Sequence, residues 1–473
     1  MSTNPTELEE LGKKLLFEKK CGWQDISQDE EKEIFELSEQ YKQFLDTSKT
    51  EREAMVTIEK MATAHGYVPI EKASKEDRKL FLNFDDVCGA LVYINDPQEF
   101  SEGFLMNGAH IDVPRLDLKS FPLYEAEDMA YMKTHYYGGI KKYQWVTRPL
   151  AMHGVVITES GKKVDIVIGE DPADPVFTIN DLLPHLSKEQ NEKPASKLIE
   201  GEQLNILVGS IPYQFKPGKN AIKLWILKEL HDRYGIVEED FVSAEIQLVP
   251  AGPARDVGFD RSFVGAHGHD DRICSYLGMQ ALFDIEADKT NKNLMMIFFD
   301  KEEIGSMGNS GAQSNLLERM VNATLLHYGF NDHSLLMNSL ANSKFLSSDV
   351  NVGIDPEWKS VNDPLNAGKM GYGVCLTKYT GVRGKSGSNE AHAEFVAEVR
   401  RAFNRDQVLW QTTELGKVDQ GGGGTIASYL AYYGMDVVDC GTALLSMHSP
   451  FEVASKVDIY HTYKAYKAFY KYL

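Results

Sequence analysis

Cysteine is scarce in this chain, and what there is lies scattered. Cys21, Cys88, Cys274, Cys375 and Cys440 are odd in number and form no close pair, which excludes a disulfide framework and a cysteine-built metal knot. They read as buried free thiols, so any metal here must be held by histidine and carboxylate. Positive charge is also short: 50 Lys and Arg stand against 70 Asp and Glu, a formal charge of -20. That balance argues against a nucleic acid or an anionic membrane as partner, since both demand a basic footprint. No apolar run approaches membrane-spanning length, and the opening MSTNPTELEELGKK has no basic stretch followed by an apolar core, so a cytoplasmic protein is expected. Internal repeats and low-complexity tracts are missing too. So are GK[ST] and a GxGxxG in a βαβ setting, which leaves the run Gly421–Gly424 without the context of a phosphate cradle.

What is present is an ordinary globular composition, 42% hydrophobic and 25% charged over 473 residues, long enough for two domains. Residues 1 to about 65 carry helical spacing, with Leu8, Leu11 and Leu15, then Ile34, Leu37, Tyr41 and Phe44. Strand-like segments follow at Gly66–Ile70, Cys88–Ile94 and Gly103–Val113. From Pro114 to Val249 the texture changes to aromatic and β-branched segments, such as Tyr143–Thr147, Gly154–Thr158, Lys163–Ile168 and Ile206–Gly209, broken by polar runs and closed by a helix over Asn220–Tyr234. This is expected to be a β-rich unit inserted into an α/β domain, which gives a first catalytic part at 1–113, the insert at 114–249 and a second catalytic part at 250–473. The tyrosine stripe of the last helix, Tyr460, Tyr463, Tyr466 and Tyr470, reads as packing.

The chemistry gathers around Leu294–Ala312. Six apolar residues, Leu294 to Phe299, run straight into Asp300-Lys301-Glu302-Glu303. A short apolar run bounded by charge and glycine reads as a strand buried on both faces, and in open α/β sheets the chemistry sits just past the carboxyl ends of strands. Alone, Glu302-Glu303 reads as a solvated acidic turn, since such pairs abound on surfaces. Four other places carry the same type of residue. His110 and Asp112 alternate onto one face of a strand tip, a ligand with its orienter or else an edge strand facing water. Asp270 and Asp271 follow a glycine turn at a helix start, where metal ligation and capping compete. Asp349 and His448 fall past strand ends. Two imidazoles and several carboxylates from one α/β unit suit a pair of divalent ions with one carboxylate left over as a base.

Three ordered motifs give a resemblance that covers essentially the whole chain. They are His110-Ile111-Asp112-Val113-Pro114-Arg115-Leu116, then Phe299-Asp300-Lys301-Glu302-Glu303-Ile304-Gly305-Ser306, and Gly424-Thr425-Ile426 leading to Met447-His448-Ser449. The chain resembles the M18 or aspartyl aminopeptidase family of dinuclear zinc exopeptidases. The resemblance implies a mixed central sheet flanked by helices, with an inserted β-rich dimerisation domain. His110 and Asp349 would hold one zinc, Glu303 and His448 the other, and Asp270 would bridge them. Asp112 would orient His110, and Glu302 would act as general base. Lys378 falls where a lysine would line the pocket for an acidic side chain. His185 would reach a neighbouring subunit's active site in a homo-oligomer built from dimers, a tetrahedral dodecamer.

The chain also departs from that pattern. Its His269-Asp270-Asp271-Arg272 replaces a Leu-Asp-Asn and is closer to the related M42 peptidases, so Asp270 and Asp271 both stand as bridging candidates. After Asp349 two family histidines are replaced by Val352 and Asp355, which leaves open a preference for amino-terminal Asp or Glu. The expected activity is a two-metal aminopeptidase acting on peptides, with cobalt or manganese as substitutes for zinc. The alternatives are a deacylase or carboxypeptidase on the same dinuclear fold, or a non-catalytic oligomeric scaffold.

Overall fold

The computed structural model describes residues 7–17, 19–216, 218–285 and 290–473; the first six residues of the amino-terminal stretch read above lie outside them. The buried run of residues 294–299 sits in the strand Asn293–Phe299, every residue of which is buried. Its alternate side chains serve two cores, Leu294, Met296 and Phe298 on one face and Met295, Ile297 and Phe299 on the other. An uninterrupted apolar sequence therefore marks a strand covered on both sides, where strict alternation would mark one facing water.

This strand belongs to a nine-stranded mixed sheet. Four neighbouring strands run parallel, in the order Asn293–Phe299, Phe104–His110, Lys344–Ser347 and Asp436–Gly441, so their carboxyl ends share one edge. Antiparallel strands flank them, Cys88–Tyr93 on one side and Val374–Thr377 on the other. Phe104–His110 is thus central, which removes the water-facing edge as an account of His110.

Helices Gln28–Asp46, Glu51–Ala64, His269–Phe283, Ala393–Arg405 and Lys456–Tyr472 supply one core, and Leu316–His327 with Ala427–Ala431 the other. The tyrosine stripe packs: Tyr466 and Tyr470 are fully buried and donate to the carbonyls of Cys440 and Met295, while Tyr460 and Tyr463 donate to Glu33 and Asp284 at the rim. The cysteines are free. Four are buried, and Cys21 is only half-buried.

A second, seven-stranded sheet is built wholly from strands between Arg115 and Pro250 and has its own core around Trp145, Met152 and Ile246. The segment Tyr143–Thr147, read as β-like, instead carries a short 3-10 helix at Lys142–Gln144, with Trp145 buried behind it. A five-stranded sheet, in which Phe263–Ala266 pairs with Glu452–Ser455, brings the Gly268 turn beside the loop that carries His448. Among the described residues no helix is long and apolar enough to cross a membrane.

Candidate metal centre

The parallel strands deliver their side chains to the shared edge in register. Phe299 lies level with His110, and Gly108 with Ser347, so the chain just past each tip supplies Glu302, Glu303 and Asp349 beside His110. Past Phe299 the chain turns sharply. Lys301 takes a left-handed φ of 65°, and its ammonium is pinned by Asp300 at 2.5 Å and Ser310 at 2.6 Å. The two glutamates then occupy a short 3-10 turn whose amides both point at one acceptor. Glu302 N donates to Asp112 Oδ1 at 3.1 Å and Glu303 N to Asp112 Oδ2 at 3.2 Å. Asp112 also lies against His110 Nδ1, 3.0 Å from its backbone oxygen and 3.3 Å from Oδ1, and accepts the Tyr137 hydroxyl at 2.8 Å. One buried carboxylate therefore ties two strand tips together.

Asp270 sits between the two histidines. Its Oδ1 is 3.2 Å from His110 Nε2 and its Oδ2 is 3.2 Å from His448 Nε2. Glu303 lies 3.5 Å from His448, while Glu302 and Asp349 lie 3.9 and 4.0 Å from His110. Asp271 is fully buried, neither of its oxygens has a hydrogen-bond partner, and among the described residues it makes no ion pair with either histidine. Capping does not explain this pair either, because Gly268 occupies the cap position and no side chain caps the helix.

Two triads, His110-Glu302-Asp349 and His110-Asp270-Glu303, each bring one ligand atom per residue within 4.8 Å of the others. The buried His110 Nε2 and Glu303 Oε1 lack hydrogen-bond partners. Burial raises three of these carboxyls, Glu302, Glu303 and Asp349, while the histidines hold Asp270 low. Burial pushes Glu302 up to about 7, and burial together with the charge of Asp270 drives Glu303 well above its usual range. Burial and neighbouring acids do the same to Asp349. His448 rises to about 10, since Asp270 and Glu303 outweigh its desolvation. Hard, anionic oxygens around two imidazoles, some unpartnered, are the donor set a divalent cation satisfies. The residues fit such ions.

Sequence reading missed three groups. Glu452, 1% exposed, accepts from the backbone N–H of Asp270 at 3.2 Å and of His448 at 2.7 Å, so it fixes both by their main chain. Its place four residues after His448 was the available signal. Tyr137 and the Gly139 carbonyl, which lies 3.0 Å from His448 Nδ1, come from the seven-stranded unit. Adjacent glycines after an aromatic strand were the hint there, because they mark close backbone approach. Two candidates are not gathered. The exposed His185 lies in a short turn of the insert and lines a cavity of about 680 Å³ there. Lys378, its side chain 48% exposed, has its only ion pair among the described residues with Glu390 at 3.9 Å.

Known proteins share this fold and part of this sequence. The family model for aminopeptidase I zinc metalloproteases, M18, matches residues 44–470. A probable M18 family aminopeptidase 1 from Clostridium acetobutylicum is 49% identical over 461 residues, covering 96% of this chain and 98% of its own. A crystal structure of an M18 aminopeptidase from Thermotoga maritima superposes with a TM-score of 0.92 at 45% identity, covering 97% of this chain and all of the other. A structure described as a yeast mApe1 dodecamer, 20% identical, shares the fold at a TM-score of 0.74 over 93% of this chain and 97% of its own. This chain belongs to the M18 family of zinc aminopeptidases.

Proposed function

We propose that this aminopeptidase works with two divalent ions, and the observation that carries the reading is Asp270, with one carboxylate oxygen 3.2 Å from each imidazole. His110 and Asp349 would hold one zinc, Glu303 and His448 the other, with Asp270 shared between them. When bound, the ions supply Lewis acidity at the scissile carbonyl and at the attacking water. Asp112 holds His110 by its Nδ1 and keeps the Glu302-Glu303 turn in place, which leaves Nε2 free to ligate. Glu302, which accepts no hydrogen bond from the cluster's other side chains, takes the proton from the attacking water and passes it to the leaving amine.

A cavity of about 480 Å³ opens beside His448 and is lined by Gly139, Lys141, Tyr143, Val352, Asp355 and Met447, enough room for the amino-terminal residue of a peptide. Its lining carries charges of both signs. A preference for an amino-terminal Asp or Glu would rest on Lys378, whose half-exposed ammonium is only loosely paired but stands outside this cavity's lining. The insert would form the dimer contact, placing His185 in a neighbour's active site within a dodecamer. What supports this is that the cavity lined by His185 contains none of its own chain's cluster residues, together with the dodecamer described for the yeast protein. The deciding experiment pairs metal analysis with a panel of aminoacyl anilides and N-acyl amino acids. We expect two ions per chain and cleavage of the anilides; one ion, or cleavage of the N-acyl series alone, would overturn the proposal. Light scattering on the purified protein tests the assembly.

A further inference from the structure

We infer that residues Tyr137 to Gly139, at the end of an insert strand, are a positioning element for the metal centre of their own chain, so that the insert serves chemistry as well as assembly. The inference rests on the two-metal reading above.

Three observations carry it. The strand Met129–Tyr137 pairs antiparallel with Arg115–Ala126 in a register that sets Tyr137 opposite Arg115. The Arg115 guanidinium lies 3.8 Å from the centre of the Tyr137 ring and is itself held by Asp117 at 2.8 Å and Glu51 at 3.3 Å. That stack fixes the ring, and the hydroxyl donates to Asp112 Oδ2 at 2.8 Å, on the carboxylate that holds His110 and the Glu302-Glu303 turn. Two residues on, the Gly139 carbonyl lies 3.0 Å from His448 Nδ1. Accepting the Nδ1–H there fixes the tautomer and leaves Nε2 to face Asp270 and Glu303. The two glycines let the backbone come this close. A methyl group at Gly138 would lie 3.3 Å from Glu303 Oε2, at a φ of +75° that disfavours any side chain, and one at Gly139 would lie 3.2 Å from His448 Nδ1. The insert strand therefore touches the outer side of both proposed ion sites, through Asp112 at one and through His448 and Glu303 at the other.

The test uses the full-length assembled enzyme and zinc alone as the probe, in competition with a chromophoric chelator, with turnover of an aminoacyl anilide measured separately. Tyr137→Phe removes only the hydroxyl. It should weaken zinc binding or lower kcat by about 10- to 100-fold, the range for outer partners of metal ligands, with KM changed by less than about twofold. Gly139→Ala should release the ion on the His448 side first, giving a stepwise zinc titration where the wild type gives one transition. Because Gly139 lies in a loop, this variant also carries the test should Tyr137→Phe fail to fold. Tyr136→Phe, on the opposite face of the strand, should match wild type throughout. Wild-type zinc affinity and turnover in both Tyr137→Phe and Gly139→Ala would overturn the inference alone. A wild-type enzyme that binds no second ion would overturn the two-metal reading and the inference with it.

Discussion

Glu302→Gln isolates the base from the rest of the centre. The side chain's one ion-pair contact in the cluster is 3.9 Å long, to His110 Nε2, and the backbone N–H that anchors the turn to Asp112 is untouched by an amide in place of the acid. Neighbouring ligands should therefore stay where they are. What is lost is proton transfer, and a positioned general base contributes about 10²- to 10⁴-fold, or about 3–5 kcal/mol of barrier at 1.36 kcal/mol per decade. The fold should lose nothing. Burial raises the Glu302 carboxyl to about 7, so a neutral isostere relieves a desolvated group, and the metal-free variant should melt no lower than wild type. The assay is kcat on an aminoacyl anilide alongside metal content by mass spectrometry. Turnover within about threefold of wild type would remove Glu302 as the base. Loss of an ion from the variant would make it a ligand instead.

Three further outcomes follow from the same structure. Stripping the metal with a chelator should destabilise the fold, because ions that bind only the native state stabilise it by about 4 kcal/mol at a thousand times Kd, so the melting temperature should fall on chelation and recover when zinc is restored. Phe298→Ala, at a position with no exposed surface between the sheet and its helices, should cost about 3–5 kcal/mol, read as a lower denaturant midpoint at unchanged slope. His153 sits in the insert between Glu53 at 2.8 Å and Glu170 at 3.1 Å. Burial opposes its charge, but those hydrogen bonds win and raise its pKa, while Glu170 is held low because its bonds to His153 outweigh its own burial. A raised histidine contributes its full stability below the unfolded value of about 6.5 and loses it as pH rises through the folded pKa; a lowered glutamate keeps its contribution down to about 4.3 and loses it below. The melting difference between wild type and His153→Gln should therefore be largest between about pH 4.5 and 6.5 and shrink on either side. A difference that grows above pH 8 would refute the assignment.

Much of this protein is local enough to be read without coordinates. The apolar run Leu294–Phe299 needed only its length and the charge that ends it to be recognised as a doubly covered strand, and the segments Lys163–Ile168 and Ile206–Gly209 are strands over just those residues. Periodicity worked less well where tertiary packing overrode it. Around Trp145 the indole alone buries against the insert core, from an irregular turn that leaves Tyr143 exposed, and at Asp270 the glycine, not the acid, took the cap. Both are places where a side chain's partner lies far along the chain.

Glu302-Glu303 is not a solvated turn for the same reason: both residues are half-buried and their amides are tied to Asp112, 190 and 191 residues away in sequence. Sequence alone supplied the residue types, their order past strand ends and the family, because those depend on local patterning and on motifs that survive in one dimension. It could not choose between Asp270 and Asp271, adjacent and chemically identical, and it had no way to see that Glu452, Tyr137 and the Gly139 carbonyl back the same centre. What the structure adds is direction and distance: Asp270 lies 3.2 Å from each of two imidazoles, Asp271 is buried without a hydrogen-bond partner, and the turn after one insert strand meets His448. Side-chain direction is set by packing across the whole chain, so only the tertiary structure decides it.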